Sequence, residues 1–400
     1  MSSTSSTSAT GSAPATGTTH RPASWAGVVS LGLGIFAIVM AEFLPASLLP
    51  RMADDLGVSA GAAGQSVTAT AAAAVLSALS IAALLPRADR RRVVLALTAL
   101  AVVSSLAVAL APNLAVLLVA RLLLGVALGG FWAMATAVVA HLVPADHLGR
   151  ALTVVNTGVS LATVAAVPLG SWLGEVWGWR QVFVLGAGVA VLALLVQAAT
   201  LPRIAPPPVN GTRALGVTLR SGVVLLGLLA VLLVFGGHFG AFTYLRPAVE
   251  SLSPIGPAGT AALLLVFGVA TALGTAISGP LADRALRAAV LAFPVALGAG
   301  MLLLHATGGS TAGLFAAAAL WGLGFGGVPT SVLTWGARVQ PERLEQIGGL
   351  IVTVCNLGIA VGGVAGGLLV DGVSAGAPLV VGAVAALAGA ALLTSLSPRR

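Results

Sequence analysis

GPLADRALR (residues 279–287) and LLPRADRRR (residues 84–92) are two versions of one short loop. Their Asp-Arg pairs, Asp89-Arg90 and Asp283-Arg284, stand 194 positions apart (283 − 89). Each loop follows two long apolar runs, and the first runs of the two sets begin near residues 25 and 222, at nearly the same offset. Pro45 and Pro50 in the first run are loosely mirrored by Pro247 in the second half. The chain therefore reads as one six-helix unit written twice, a bundle over 25–201 and another over 221–396, joined by a linker at 202–220. Internal repeats of this kind place substrate near the bilayer midplane between the halves and transport by rocking one half against the other. The Asp-Arg pairs suit a gate that bridges helix ends, or a plain solvated basic loop.

Composition points to lipid as the solvent. Of 400 residues, 58% are hydrophobic and 8% charged, where soluble domains carry about 25% charged residues. Hydropathy along the chain gives about twelve apolar spans between residues 25 and 396. Each is near the ~20 residues that cross a ~30 Å hydrocarbon core as a helix. Spans eight and nine fall at 258–279 and 288–304. The predicted fold is an all-α membrane protein of twelve transmembrane helices in two pseudo-repeats.

Charge placement supports the count. With the N-terminus inside, 15 of 19 arginines fall in cytoplasmic segments, three (Arg51, Arg180, Arg246) fall outside, and Arg121 lies within span four. That asymmetry is what the positive-inside rule expects, so the net charge of +8 is a topology signal rather than a nucleic-acid footprint. The expected location is a bacterial cytoplasmic (inner) membrane with both termini cytoplasmic. Residues 1–24 lack periodicity and read as a disordered tail, and 397–400 form a short second tail.

All basic residues are arginine. Without lysine there is no P-loop to grip ATP phosphates and no Schiff base to hold a cofactor. Cys355 is the single cysteine and reads as a small core residue, and no Cys/His cluster has zinc spacing. No cofactor, metal or catalytic residue is expected, and the chain does not read as an enzyme. The energy for transport then comes from an ion or substrate gradient.

Glu42 is the one acidic residue buried in an apolar run, IFAIVMAEFLPASLLP (residues 35–50). An ionisable side chain at membrane depth is costly and points to function. Desolvation disfavours a charged carboxylate, so proton coupling is the leading reading, beside a fixed hydrogen bond to a neighbouring helix and direct substrate contact. A repeat offset of about 196 pairs Glu42 with His238. His238, Phe242 and Arg246 recur every four residues on one helix face. His238 is read either as a hydrogen-bonded packing residue or as a cavity residue facing Glu42 that joins it in proton coupling. Arg121, alone in its span, must pair or reach water.

GPLADRALR resembles the signature loop of the major facilitator superfamily. The run Arg121 to Gly125, continuing to Gly129 and Gly130, resembles that family's fourth-helix motif, and VPLGSWLG (residues 167–174) resembles the fifth-helix motif of its antiporters. The first loop departs from the pattern, with Leu85 where a glycine leads. Resemblance to the fourth-helix motif implies that Arg121 takes part in proton transfer or holds neighbouring helices. EFLPASLLPRMADDLG (42–57), AGQSVTAT (63–70), LGGFWAMATAVVAHLVP (128–144), FTYLRP (242–247) and WGLGFGGVPTSVLTW (321–335) look like the bacterial purine ribonucleoside efflux pumps.

That resemblance implies proton-coupled antiport of purine ribonucleosides such as inosine and guanosine by a monomer, with sugar or drug efflux as the alternative. Nucleoside recognition needs flat apolar surfaces and a few hydrogen-bonding groups. The candidates are Trp132, Phe239, Phe242, Tyr244, Trp321 and Trp335, with Gln65, Asn156, Thr330 and Asn356.

Overall fold

The computed structural model describes residues 23–85, 87–144, 147–204, 221–253, 255–307 and 310–397. Most of the expected N-terminal tail, the linker beyond residue 204 and the last three residues lie outside these. The described chain is helical throughout. Eleven of its helices are long and apolar enough to cross a membrane.

In the first half these are α1 (Trp25–Leu56), α2 (Ala60–Leu84), α3 (Arg90–Ala109), α4 (Leu114–Leu142), α5 (Leu148–Leu161) running on into α6 (Val167–Val176), and α7 (Trp179–Thr200). The second half has α8 (Gly222–Phe242), the short α9 (Leu245–Leu252), α10 (Gly256–Ala306), α11 (Thr311–Val339), α12 (Leu344–Gly372) and α13 (Ala377–Leu396). The bundle's two ends are called here the termini end, where α1 begins, and the far end, where α1 stops.

Proline shapes two of the first-half helices. α1 continues through Pro45 and Pro50, six residues past the apolar run at 35–50, and stops at Gly57, whose φ of 64° is left-handed. Pro168 has no N–H for the Val164 carbonyl, and the helix passes through a π turn over Ala162–Ala166 just before it. A π turn of this kind is one way a helix absorbs a missing ladder bond. It also opens room for the second half: a Cβ on Gly268 of α10 would stand only 2.9 Å from the Thr163 carbonyl oxygen.

The expected break between spans eight and nine is a sharp reversal rather than a loop. Helical assignment runs unbroken over the 51 residues of α10, but Ala285 leaves helical geometry (φ −147°, ψ 65°). Gly256 shares a far-end cleft with Arg51 and Glu175. At the other end of α10, His305 lies against Gly376, just beyond the α12 terminus whose Asp371 bonds Gly61. Both ends of α10 are thus at the far end, and the chain turns back at Ala285. Arg338 donates to the carbonyls of Ala282 (3.1 Å) and Asp283 (2.8 Å), satisfying the end of the first leg.

Close helix contacts recur at a fixed spacing. Gly125 and Gly129 of α4 sit against the backbone of Thr70 and Ala74 on α2, and Gly322 and Gly326 of α11 sit against that of Phe267 and Thr271 on α10. Every member of the second set is 197 residues after its counterpart (322 − 125, 326 − 129, 267 − 70, 271 − 74). Without side chains at these points the backbones approach closely enough to pack, the usual device between helices in lipid. The buried apolar side chains fall into two large clusters, one for each half.

Candidate functional site

The two halves meet along α1, α2 and α6 on one side and α8, α9, α10 and α12 on the other. At the far end they are tied by polar contacts. Glu175 of α6 accepts from Arg51 of α1 and from Arg246 of α9. Arg246, only 3% exposed, also donates to Glu250 (2.8 Å) and to the Ser47 carbonyl of α1 (2.8 Å). Asp371 of α12 accepts from Ser59 (2.6 Å) and from the Gly61 N–H (3.0 Å) at the start of α2. The Tyr244 hydroxyl lies between the carbonyls of Gly363 (2.9 Å) and Gly61 (3.3 Å). Toward the termini end the pairing lapses. On the α2 face that carries Gly61, Gln65 and Thr68, the next residues along, Ala72, Leu76 and Leu79, are exposed. The halves are joined at the far end and part toward the termini end.

Glu42 lies at the depth where they part. Its side chain is on α1, next to Phe43, and 7% of the residue is exposed. Its carboxyl has no hydrogen-bond partner among the described residues, yet its oxygens are not among the fully buried unpartnered polar atoms. The remaining exposure therefore reaches the carboxyl.

Arg121 explains how α1 tolerates Pro45. Pro45 cannot donate to the Ala41 carbonyl, and Arg121 Nη1 donates to it instead at 2.7 Å. Nη2 donates to the Glu42 carbonyl (3.1 Å) and Nε to the Ser66 carbonyl of α2 (3.1 Å). Arg121 is fully buried, and its guanidinium bonds the backbone beside Glu42 rather than its carboxylate. The spacing of Pro45 four residues after Ala41 was the available signal, because a proline frees the carbonyl at i−4.

His238 has a different setting. It is 1% exposed on α8, with its Nδ1 accepting from Trp321 Nε1 at 3.0 Å. Its ring is stacked on Phe325 (3.6 Å between centroids, 10°) and on Phe242 (5.4 Å, 19°). Phe239, Phe242 and Trp321, three candidates from the sequence, do gather here. Phe43 of α1 reaches across from the first half, near-parallel to Phe239 (6.3 Å, 14°) and edge-on to Phe242. Phe43 and Phe325 carried no signal of their own, beyond adjacency to Glu42 and a spacing of four from Trp321. Glu42 and His238 belong to separate networks, and the contact spacing of 197 places Phe239 rather than His238 at the counterpart of Glu42.

The other candidates are dispersed. The Gln65 amide bonds its own helix at Gly61 (3.2 Å), and the Asn356 amide does so at Val352 (3.0 Å). Asn156 is exposed on α5, Trp132 and Thr330 are half-buried on α4 and α11, and Trp335 is fully buried against Gly227. Tyr244 is spent on the far-end contact.

The two Asp-Arg loops also differ. Asp89 caps α3 by accepting from the Arg91 N–H (2.9 Å) and accepts from the Ile204 N–H (3.1 Å). Burial works against its charge, but these two bonds and the nearby Arg92 and Arg203 hold its carboxyl below the usual carboxylate range. Arg90 is buried and donates to the Leu85 carbonyl (3.0 Å). Asp283 and Arg284 are exposed.

The profile described as Major Facilitator Superfamily matches residues 31–363. The chain is 41% identical over 381 residues to the transcription regulatory protein OpdE of Pseudomonas aeruginosa, covering 94% of each. It is 36% identical over 371 residues to the purine ribonucleoside efflux pump NepI of Escherichia coli K12, covering 93% of this chain and 94% of that one. Two solved structures share the fold. One is a bacterial homolog of the human lysosomal transporter Spinster, inward-facing and unoccupied (TM-score 0.70, 15% identity, 94% of this chain and 96% of that one). The other is a variant of the nucleoside transporter NupG (TM-score 0.68, 16% identity, 92% and 99%).

Proposed function

The chain belongs to the Major Facilitator Superfamily, a family of membrane transporters rather than enzymes, and from that membership we propose that it exports purine ribonucleosides in exchange for protons. The substrate class rests on similarity to the purine ribonucleoside pump along nearly the whole chain. The coupling rests on one observation: Glu42 carries a nearly buried carboxyl that keeps some exposure and has no hydrogen-bond partner among the described residues. Such a group binds a proton in one state and releases it in the other when access switches sides.

The finer architecture belongs to the same proposal. With α10 taken as two passes that turn at Ala285, the chain crosses twelve times, six in each of the bundles 25–201 and 221–396. The termini end is then cytoplasmic, in keeping with its arginines, and the state described is open to the cytoplasm and closed outside by Glu175, Arg246 and Tyr244. The Asp89-Arg90 and Asp283-Arg284 loops close the opposite gate. Substrate sits between the halves near Glu42 and the Phe43–Phe239 contact, and one chain is the working unit.

Purified protein in proteoliposomes tests this directly. Inosine or guanosine added to one side moves protons, and Glu42→Gln abolishes that movement while the protein still folds. Proton movement with sugars or lipophilic cations and none with nucleosides would favour the alternative of sugar or multidrug export. The regulatory name of the Pseudomonas relative is compatible with transport of a molecule that a separate transcription factor senses, and the same substrate panel finds such a molecule.

A further inference from the structure

The bond between Trp321 and His238 settles which histidine nitrogen carries a proton. An indole N–H is a donor only, so the Nδ1 that accepts from it at 3.0 Å has a free lone pair. The neutral ring then bears its hydrogen on Nε2. A doubly protonated ring would set two N–H groups against each other across that bond. The rings of Phe239, Phe242, Phe267, Phe325 and Trp321 surround His238, and among the described residues no carboxylate pairs with it to support a cation. Glu42 and Arg121, the charged residues at depth in the first half, belong to each other's surroundings. A shuttle that must alternate between one and two protons has no place to do so here.

Nε2 is therefore a donor in search of an acceptor. It has no hydrogen-bond partner among the described residues and is not among the fully buried unpartnered atoms, so the 1% exposure left to His238 includes it. A buried N–H left unpaired costs stability, and a binding site is where that cost is recovered. The surrounding surfaces say what the acceptor is attached to. Phe239 and Phe242 flank His238 and meet Phe43 of the opposite half, so flat apolar faces from both halves border the same spot. Aromatic faces of this kind hold flat rings.

We infer that His238 is a substrate-reading donor rather than a proton carrier: its Nε2–H, oriented by Trp321, bonds an acceptor on the edge of a heteroaromatic ring held against Phe43, Phe239 and Phe242. For a 6-oxopurine the acceptor is O6 or N7. This rests on the proposed purine nucleoside export and assigns the base-recognition role within it. The two halves then divide the work, with the proton on Glu42 and the base on His238.

The experiment uses full-length protein in proteoliposomes, with inosine, 7-deazainosine (no N7), purine riboside (no 6-oxo group) and a sugar panel. In the wild type, one of the two inosine analogues has a KM about 10-fold or more above that of inosine, as loss of one buried hydrogen bond predicts. His238→Phe keeps the ring and loses the donor, raising the KM of inosine by a similar factor and erasing discrimination against that analogue. His238→Gln supplies an amide donor and recovers most of the affinity. In both variants the protons moved per nucleoside and the pH profile of transport match the wild type. Trp321→Phe releases Nδ1 and makes inosine affinity vary with pH where histidine titrates.

A wild type that transports all three nucleosides equally overturns the inference without touching nucleoside export, and this arm needs no variant to fold. A His238→Gln pH profile that shifts, or coupling that fails, makes His238 a proton carrier and overturns it as well. Proton movement driven by sugars alone removes both this inference and the nucleoside reading.

Discussion

Glu42 on α1 and His238 on α8 occupy equivalent depths in the two halves, and their surroundings have almost nothing in common. The first is a carboxyl on a proline-containing helix whose freed Ala41 carbonyl is held by a buried arginine. The second is a neutral imidazole clamped by an indole N–H and stacked between phenylalanines. The scaffold contacts, by contrast, repeat residue for residue: the glycines of α4 and α11 meet α2 and α10 at one spacing. What packs the helices thus recurs at one spacing, while the facing surfaces differ. An ionisable group needs a polar neighbourhood that shields it, while a ring-binding surface needs a dry one, and a single pocket supplies both poorly.

The sharpest break of this contrast is Glu42→Gln. Substrate-driven proton movement falls to background, while binding of inosine measured by tryptophan fluorescence or calorimetry persists. Equal loss of binding would move Glu42 into the recognition surface and blur the two halves.

Arg121→Leu is expected to have the largest effect on stability. It strands the proline-freed Ala41 carbonyl in a buried, apolar setting, at about 1–3 kcal/mol, and removes a second donor from the Glu42 carbonyl. Adding Pro45→Ala restores an N–H for Ala41 and recovers about 1 kcal/mol. No recovery in thermal unfolding of the detergent-solubilised double variant would show that Arg121 acts through the Glu42 carboxyl instead of through the α1 backbone.

Glu175→Gln probes the tie between the halves. Arg246 keeps Glu250 but loses its partner on α6, so the far-end closure weakens. With Cys355→Ala, the change Ala63→Cys, at a buried position beside Tyr244, should label about 5-fold faster with a membrane-impermeant maleimide, the change expected for roughly 1 kcal/mol. Unchanged labelling would place the closure in Tyr244 and Asp371 alone.

The smallest effect concerns the paired loops. Asp89 has its acidity strengthened in the folded state by the N–H groups it accepts from. Its folded pKa is thus below the unfolded value near 4, so its contribution is present above about pH 4 and is lost as pH falls through the folded value. Asp89→Ala removes a helix cap worth about 1 kcal/mol and flattens the acid side of the stability profile.

Much of this molecule was legible beforehand. The apolar runs and the scarcity of charge required a membrane-spanning helical chain, because chain length and lipid thickness leave few alternatives. Glu42 and Arg121 stood out because lipid makes every buried charge conspicuous. Offset arithmetic served less well for the pairing of Glu42 with His238, since a shift of one residue along a helix turns a side chain by about 100°. The scattered polar candidates, Asn156, Thr330 and Asn356 among them, could not be sorted, because hydroxyls and amides in apolar helices readily bond their own backbone.

The sequence by itself determined the solvent and the presence of a carboxyl at depth, since those depend on composition and spacing. Only the tertiary structure decided that Arg121 bonds a proline-freed backbone, that the α10 run doubles back at Ala285, and that Trp321 holds His238 in one tautomer. Each of these depends on which atoms of distant helices come within 3 Å or so of one another. Such distances arise from the packing of whole helices and are written in no local stretch of the chain.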